Sequence, residues 1–187
     1  PLSSLRQDLR LRLRRPAVGP VRLQETWSGT LKAAAGSGLL RLSAESPAPD
    51  GRLEAHLDRH WQPRLVTLER SGGALRLEGT PDHYVWRAAA FPLQGLSLAL
   101  GPHPALRGLQ GRLGGTGLLA LRPLAFSGSL AVEQPSLLGV AGRDLNARVS
   151  YRDRRFSLRA AFQPLLAGAV DATLDGSWNG AYRLRLQ

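Results

Sequence analysis

Apolar and polar residues alternate from Leu145 to Phe162, and this period of two limits the fold more than any other feature of the chain. Leu145, Ala147, Val149 and Tyr151 alternate with Asn146, Arg148, Ser150 and Arg152. After Asp153-Arg154, Phe156, Leu158, Ala160 and Phe162 alternate with Ser157, Arg159 and Gln163. Residues two apart share a face of a strand, so the stretch predicts an antiparallel hairpin with one apolar and one polar face. Its charged connection lacks Gly, which is weak turn chemistry, and a loop longer than two residues is expected.

The same pattern recurs along the chain. Leu9 to Arg14 alternates strictly and closes at Arg15-Pro16. Val21, Leu23, Glu25 and Trp27 continue in phase, with Glu25 the exception, before Gly29 and the Ala33–Gly38 stretch interrupt the run. Further strands are expected at Leu40–Ala44, Leu53–Leu57, Leu65–Leu68, Leu75–Leu77, Tyr84–Trp86, Leu96–Leu100, Leu109–Leu113, Leu118–Leu121, Phe126–Val132 and Val170–Leu174, with a last one after Trp178. Turns are marked by Ser46–Gly51, Ser71-Gly72-Gly73, Thr80-Pro81-Asp82 and Gly101–Pro104, and Pro135–Gly142 reads as a loop, partly extended. Short strands at intervals of about 8–12 residues, without a capped helical stripe, define an all-β architecture.

A loose repeat runs through these strands. Trp27-Ser28-Gly29-Thr30-Leu31, Phe126-Ser127-Gly128-Ser129-Leu130 and Trp178-Asn179-Gly180-Ala181-Tyr182 share the frame aromatic, x, Gly, x, apolar. Leu109 to Leu113 has Leu in the aromatic place, and Gly36-Ser37-Gly38-Leu39-Leu40 recurs as Gly115-Thr116-Gly117-Leu118-Leu119. Each aromatic then shares a face with a Gly that leaves room for a neighbouring ring or a sharp bend. The copies are irregularly spaced, so no fixed-period solenoid is implied.

The net charge is +11, and all but Lys32 of the 25 basic residues are Arg. They are spread one per polar strand position instead of forming a dense patch with stacking aromatics, which argues against a nucleic-acid module. An Arg-rich solvated face accounts for them, and attraction to anionic surfaces is the other reading. Without Cys, neither a disulfide nor a Cys-based zinc site can form. No apolar stretch reaches the ~18 residues of a membrane-spanning helix. The strand patterns at both ends suggest a single β-rich segment, residues 1–187, of a longer repeating protein, with any membrane anchor outside it.

Chemistry-bearing motifs are sparse. His56, Asp58 and His60 have metal-ligand letters, but strand spacing sets the two His too far apart for one ion. Gly115-Thr116-Gly117-Leu118-Leu119-Ala120 matches a dinucleotide fingerprint only by letter, without the βαβ context that gives the motif meaning. No nucleophile elbow, P-loop or paired carboxylates occur, so neither catalysis nor a cofactor is expected.

The amphipathic strands, the apolar-x-Gly frames and the Gly-x-Gly-Leu-Leu steps resemble the TamB branch of the AsmA-like envelope proteins across most of the chain. The resemblance implies a curved antiparallel or mixed sheet forming an open, U-shaped hydrophobic groove, the β-taco. It also implies a place in the periplasm of a diderm bacterium, bridging inner and outer membranes. The implied work is phospholipid transport between those membranes, assistance in outer-membrane protein assembly, or both. The implied partners are phospholipid acyl chains and an outer-membrane β-barrel assembly protein.

A sheet with one apolar face must bury it against a second layer or a ligand, and no helix is available here to cover it. The candidate groove residues are Leu9, Leu11, Leu13, Leu96, Leu98, Leu100, Leu145, Val149, Phe156, Leu158, Val170, Leu174, Leu184 and Leu186. Arg10, Arg12, Arg148, Arg159, Arg183 and Arg185 would face water. A compact, non-enzymatic β-sandwich that binds protein or carbohydrate would bury the same apolar set, and periodicity does not separate the two. A transmembrane barrel also alternates, but calls for strands of about 9–11 residues with aromatic girdles, whereas only 6% of the residues here are aromatic.

Overall fold

The hairpin at Leu145–Phe162 forms with the tightest connection available to it. In the computed structural model, β13 (Val140–Arg152) and β14 (Arg155–Pro164) pair from Leu145↔Phe162 through Arg152↔Arg155. Only Asp153 and Arg154 intervene, both left-handed, with φ of 51° and 63°. This is the mirror-image turn whose twist matches that of the flanking strands. The longer loop expected from the missing Gly is therefore corrected: extensive pairing on both sides holds two non-glycine residues in a region that Asp tolerates and Arg disfavours.

The structure describes residues 7–18, 21–34, 36–45, 50–98, 108–137, 139–166, 168–177 and 182–187; for residues 7, 17, 18, 21, 22, 98, 137, 182 and 184 it describes the backbone only. The other strands of the first half are β1 (Gln7–Arg14), β2 (Ala17–Val18), β3 (Val21–Leu23), β4 (Thr26–Ala34), β5 (Ser37–Ala44), β6 (Gly51–Leu57), β7 (Pro63–Arg70), β8 (Gly73–Thr80), β9 (His83–Pro92) and β10 (Leu96–Leu98). Those of the second half are β11 (Gln110–Leu121), β12 (Leu124–Leu137), β15 (Val170–Ser177) and β16 (Tyr182–Leu186).

The fold is all-β, and the described residues include no helix. Thirteen strands form one antiparallel sheet in the order β1-β4-β5-β6-β7-β8-β9-β11-β12-β13-β14-β15-β16. The two outermost strands do not pair with each other, so the sheet is open and the barrel reading fails on closure. Every strand pairing is antiparallel, which narrows the expected antiparallel or mixed sheet. Apart from two excursions, the sheet is a meander in which each strand lies beside the next.

Register shifts bend the sheet. They fall near Gly115 where β11 meets β9, near Gly111 where β11 meets β12, near Gly142 where β13 meets β14, and at His56/Leu57 where β6 meets β7. Ala90 and Gln134 adopt positive φ beside them. Bulges at neighbouring places in successive strands add twist and curvature in one direction.

The two excursions meet. One, between β1 and β4, contains β2 and β3; the other, after β9, contains β10, and β10 pairs with β3 in a separate three-stranded sheet. Both leave from the same rim of the large sheet, since Arg14 is paired with Thr26 and Pro92 with Arg112. The run Val21–Trp27, read from its phase as one strand, is thus split between a flap and the main sheet. Glu25, the residue out of phase, lies at the split.

Glycine and ring placement follow the repeated frame. The Trp86 indole lies over Gly117 and Gly128, where an added Cβ would come within 2.6 and 2.3 Å of ring atoms. It stacks on Phe126 at 5.5 Å between centroids with 10° between planes, and its Nε1–H donates to the Ser127 carbonyl at 3.3 Å. In the same way Trp27 crowds Gly51, and Phe162 crowds Gly142. Each Gly provides space for a ring from a nearby strand, and the resulting contacts are those of a close-packed interior. The Trp178 copy of the frame lies outside the described residues through position 181.

Candidate functional site: an apolar trough

Register, more than any single residue, defines the site. Opposed residues run across all thirteen strands as Leu9–Leu31–Leu40–Ala55–Val66–Leu77–Trp86–Gly117–Gly128–Val149–Leu158–Leu174–Leu184. No polar residue interrupts this row. Two glycines stand in it, and both are covered by Trp86. Two positions along each strand runs a second row: Leu11–Gly29–Leu42–Leu53–Leu68–Leu75–Ala88–Gly115–Leu130–Ala147–Ala160–Ala172–Leu186. It too is wholly apolar. Strands about 4.8 Å apart make each row roughly 58 Å long.

Shorter rows flank these two. On one side lie Leu13 and Trp27, then Phe91, Leu113, Val132, Leu145, Phe162 and Val170. On the other lie Tyr84, Leu119, Phe126, Tyr151 and Phe156. The sequence-derived candidates sort cleanly onto this face. Leu9, Val149, Leu158, Leu174 and Leu184 occupy the first row, Leu11 and Leu186 the second, and Leu13, Leu145, Val170 and Phe156 the flanks. For Leu184 the assignment is of backbone register.

Two candidates, Leu96 and Leu98, belong elsewhere. Leu96 lies on the flap, 8% exposed, in a cluster with Trp86, Ala88 and Phe91. It covers the trough instead of lining the sheet, because β10 leaves the large sheet to pair with β3. Leu98 is also on β10 and is described by its backbone; Leu100 lies outside the described residues. The expectation of an apolar face with no second layer is corrected over this stretch. Leu23, Leu93 and Leu96 from the excursions pack with Leu68, Leu75, Leu77, Leu113 and Leu130 around the cluster. A sandwich would pair two sheets of comparable size; here the second layer has three strands and covers one part of the first.

A buried ion pair ties the flap down. Glu25 and Arg70 are bonded through Oε1 and Nη2, with side chains 7% and 2% exposed. Gly95, at φ 75°, lies against both, and an added Cβ would meet the Arg70 guanidinium at 2.6 Å. Arg70 closes β7 on the apolar face, and Glu25 closes the first excursion. A buried guanidinium there requires an acid, which explains why Glu25 breaks the alternation.

Beyond the flap the floor changes. The second row is built of Leu42, Leu53, Leu68 and Leu75 in the first half but of Ala147, Ala160 and Ala172 in β13 to β15. Leu145, Val149, Phe156, Leu158, Val170 and Leu174 flank those alanines and are half-buried. Leu186 is 64% exposed. Small residues in the floor thus stand between larger ones in the neighbouring rows, and none of these rows holds a polar side chain.

Several lining residues escape a reading by period: Trp86, Tyr84, Leu68, Leu119 and Phe126. Tyr84–Trp86 and Leu118–Leu121 are unbroken apolar runs, and Leu65–Leu68 is interrupted only by Thr67, so alternation does not assign a face there. Tyr84 is fully buried and donates its hydroxyl to the Pro63 carbonyl at 2.7 Å. Burial raises its pKa against the opposing pull of Arg64, with Asp58 and Asp82 adding to the rise. The other sequence motifs carry no site. His60 lies in the turn after β6 and accepts from Arg59 at 3.0 Å, while His56 contacts Glu54 at 2.8 Å. Gly115 and Gly117 lie within β11, with no helix following.

No family model, curated protein or solved structure matches the chain.

Proposed function

We propose that the chain is a segment of a TamB-like envelope protein that holds phospholipid acyl chains in its trough and passes them along it between inner and outer membranes. The observation that carries this reading is the pair of apolar register rows crossing thirteen strands without a polar residue. A domain core needs an apolar face, but it also needs an opposing layer of similar extent. Here the flap covers the middle, while the face of β13 to β15 has no covering layer among the described residues.

Hydrocarbon is the occupant this lining suits. Each buried CH₂ contributes about 0.8 kcal/mol, so an acyl chain lying along the alanine floor would gain enough to dwell there. A lining without hydrogen-bonding side chains or fixed charge offers no strong subsite, which favours sliding over capture. Headgroups would remain at the open rim, in water.

Native mass spectrometry of the purified chain in detergent-free buffer tests the proposal. Co-purifying phospholipid that is lost on Ala160→Glu is the expected result. A lipid-free monomer that also fails to take up phospholipid from vesicles would overturn it.

A further inference from the structure

The face opposite the trough carries its own continuous row. It runs Arg10–Thr30–Arg41–Glu54–Thr67–Arg76–Arg87–Thr116–Ser129–Arg148–Arg159–Thr173–Arg185. Seven of its positions are Arg, one is acidic, and the rest are hydroxyl residues. The arginines of this face are partnered differently. Arg41 binds Glu54 at 2.8 Å, Arg76 binds Glu78 at 2.9 Å, and Arg12 in the adjoining row binds Glu45 at 2.7 Å. Arg10, Arg87, Arg148, Arg159 and Arg185 form no ion pair among the described residues, and the last four share the run from β9 to β16.

Arg148 and Arg159 are directly opposed on neighbouring strands. Like charges so placed repel and destabilise the pairing. Between them and the hydroxyls of Ser129 and Thr173 lies a shallow depression of ≈ 560 Å³, also lined by Asn146 and Asp171. Its lining also includes Leu130, Ala147, Ala160 and Ala172, which lie in register between the two polar-face rows of Ser129–Arg148–Arg159–Thr173 and Asn146–Ala161–Asp171, while Val149, Leu158 and Leu174 take no part. An anion bridging the two guanidiniums would remove the repulsion and gain charge-assisted hydrogen bonds.

The geometry points to a further binding site: a track for a linear, phosphate-bearing polyanion along Arg87, Arg148, Arg159 and Arg185. Its shape selects the ligand class. These four arginines stand in single file over roughly 29 Å, six strand spacings. The rows beside it hold Asp171 on one side and, on the other, Asp175 opposed by Arg183, with Arg152 and Arg155 further along β13 and β14. An anionic bilayer rewards positive charge spread in two dimensions; the longest line of unpaired arginines here is the row itself, which suits a chain one phosphate wide. Bases are not required, because Trp86, Phe126, Tyr151 and Phe156 stand in the register rows of the other face and leave this one without a stacking platform. The inference is independent of the lipid reading, since it concerns the opposite face.

Inorganic polyphosphate is the probe, with binding to the intact chain followed by fluorescence anisotropy as salt is varied. Four neutralised phosphates predict a log–log salt slope near −3, at about −0.7 per contact. The double variant R148Q/R159Q should lose about tenfold or more in affinity and flatten the slope by about 1.4, while R12Q/R41Q, whose arginines are already paired with acids, should bind like the wild type. Thr173→Asp, which sets an acid in the file, should weaken binding as well, guarding against misfolding of the double variant. Equal losses from R148Q/R159Q and R12Q/R41Q would reduce the effect to net charge and overturn the track. So would tighter binding to phosphatidylglycerol vesicles or to an oligonucleotide of equal phosphate number, or absence of polyphosphate binding at low salt.

Discussion

The two halves of this sheet use the same alternation to different ends. From β4 to β9 leucines floor the apolar face, half-buried around a buried set in which Trp27 is 1%, Phe91 3% and Leu42 5% exposed, and the flap covers its inner end, fastened by Glu25 and Arg70. From β13 to β16 the floor is alanine and the flanking apolar residues are half-buried or exposed. The polar faces differ in part: Arg12, Arg41, Arg64 and Arg76 of the first half are paired with acids, whereas Arg148, Arg159 and Arg185 of the second half form no ion pair among the described residues. A single strand pattern can thus build either a core or a lining, and what decides is the bulk of the floor and the presence of a cover.

The largest effect should come from breaking the latch. Arg70→Met leaves Glu25 buried without its partner and should cost about 3–5 kcal/mol. Glu25→Leu combined with Arg70→Met should recover most of that loss, because replacing a buried pair with apolar groups is often close to neutral. Urea titrations of the two variants check this; a single variant as stable as the wild type would mean that the flap is not held by the pair.

A direct contrast of the halves comes next. Leu42→Ala, in the filled half, should cost about 2–5 kcal/mol. Leu158→Ala, on the open lining, should cost about 1 kcal/mol, in line with partial burial. Equal losses in chemical denaturation would erase the distinction between core and lining.

A smaller change of opposite sign is expected at the β13–β14 turn. Asp153→Asn with Arg154→Gly supplies the residues that favour φ > 0 and should stabilise the protein by roughly 0.5–1 kcal/mol. A rise in the denaturation midpoint checks it.

The smallest effect is acid sensitivity from three carboxyls of the first half. The Arg12 guanidinium holds the Glu45 carboxyl below its ordinary range, and Arg41 with His56 does the same for Glu54. At Asp58 partial burial pushes upward, but the Gln62 and His60 N–H groups and Arg64 outweigh it and leave the carboxyl lowered. A depressed carboxyl contributes stability that is present above its unfolded-chain pKa and lost as pH falls through the lower folded value. The denaturation midpoint should therefore fall slightly as the pH drops below about 4, and E45Q/E54Q/D58N should flatten the decline. An unchanged slope in that triple variant would place the sensitivity elsewhere.

Much of the fold is legible in the residues. Strict alternation at Leu9–Arg14 and Leu145–Phe162 identified strands and the correct face, and Ser71-Gly72-Gly73 gave a turn, with Ser71 and Gly72 at φ 44° and 78°. Two features were not legible, for physical reasons. Gly114, Gly115 and Gly117 suggested a break between Leu109–Leu113 and Leu118–Leu121, yet β11 runs through them, because pairing on both flanks and the Trp86 ring supply what the missing side chains do not. The flap was hidden because phase says nothing about which sheet a strand joins; Val21–Leu23 and Leu96–Leu98 alternate like the rest, and only Glu25 hinted at a separate environment. Pro135–Gly142, read as a partly extended loop, is mostly strand around position 138, with a bulge at Gln134 absorbing the irregularity.

The central claim is that hydrocarbon occupies the open half of the trough, and one comparison tests it most directly. A photoreactive residue is placed at Leu158 or, in a second protein, at its neighbour Ser157, which belongs to the opposite face. After irradiation in phospholipid vesicles, lipid adducts are predicted at position 158 and not at 157. Adducts at both positions to the same extent, or at neither while the protein remains folded, would contradict the account.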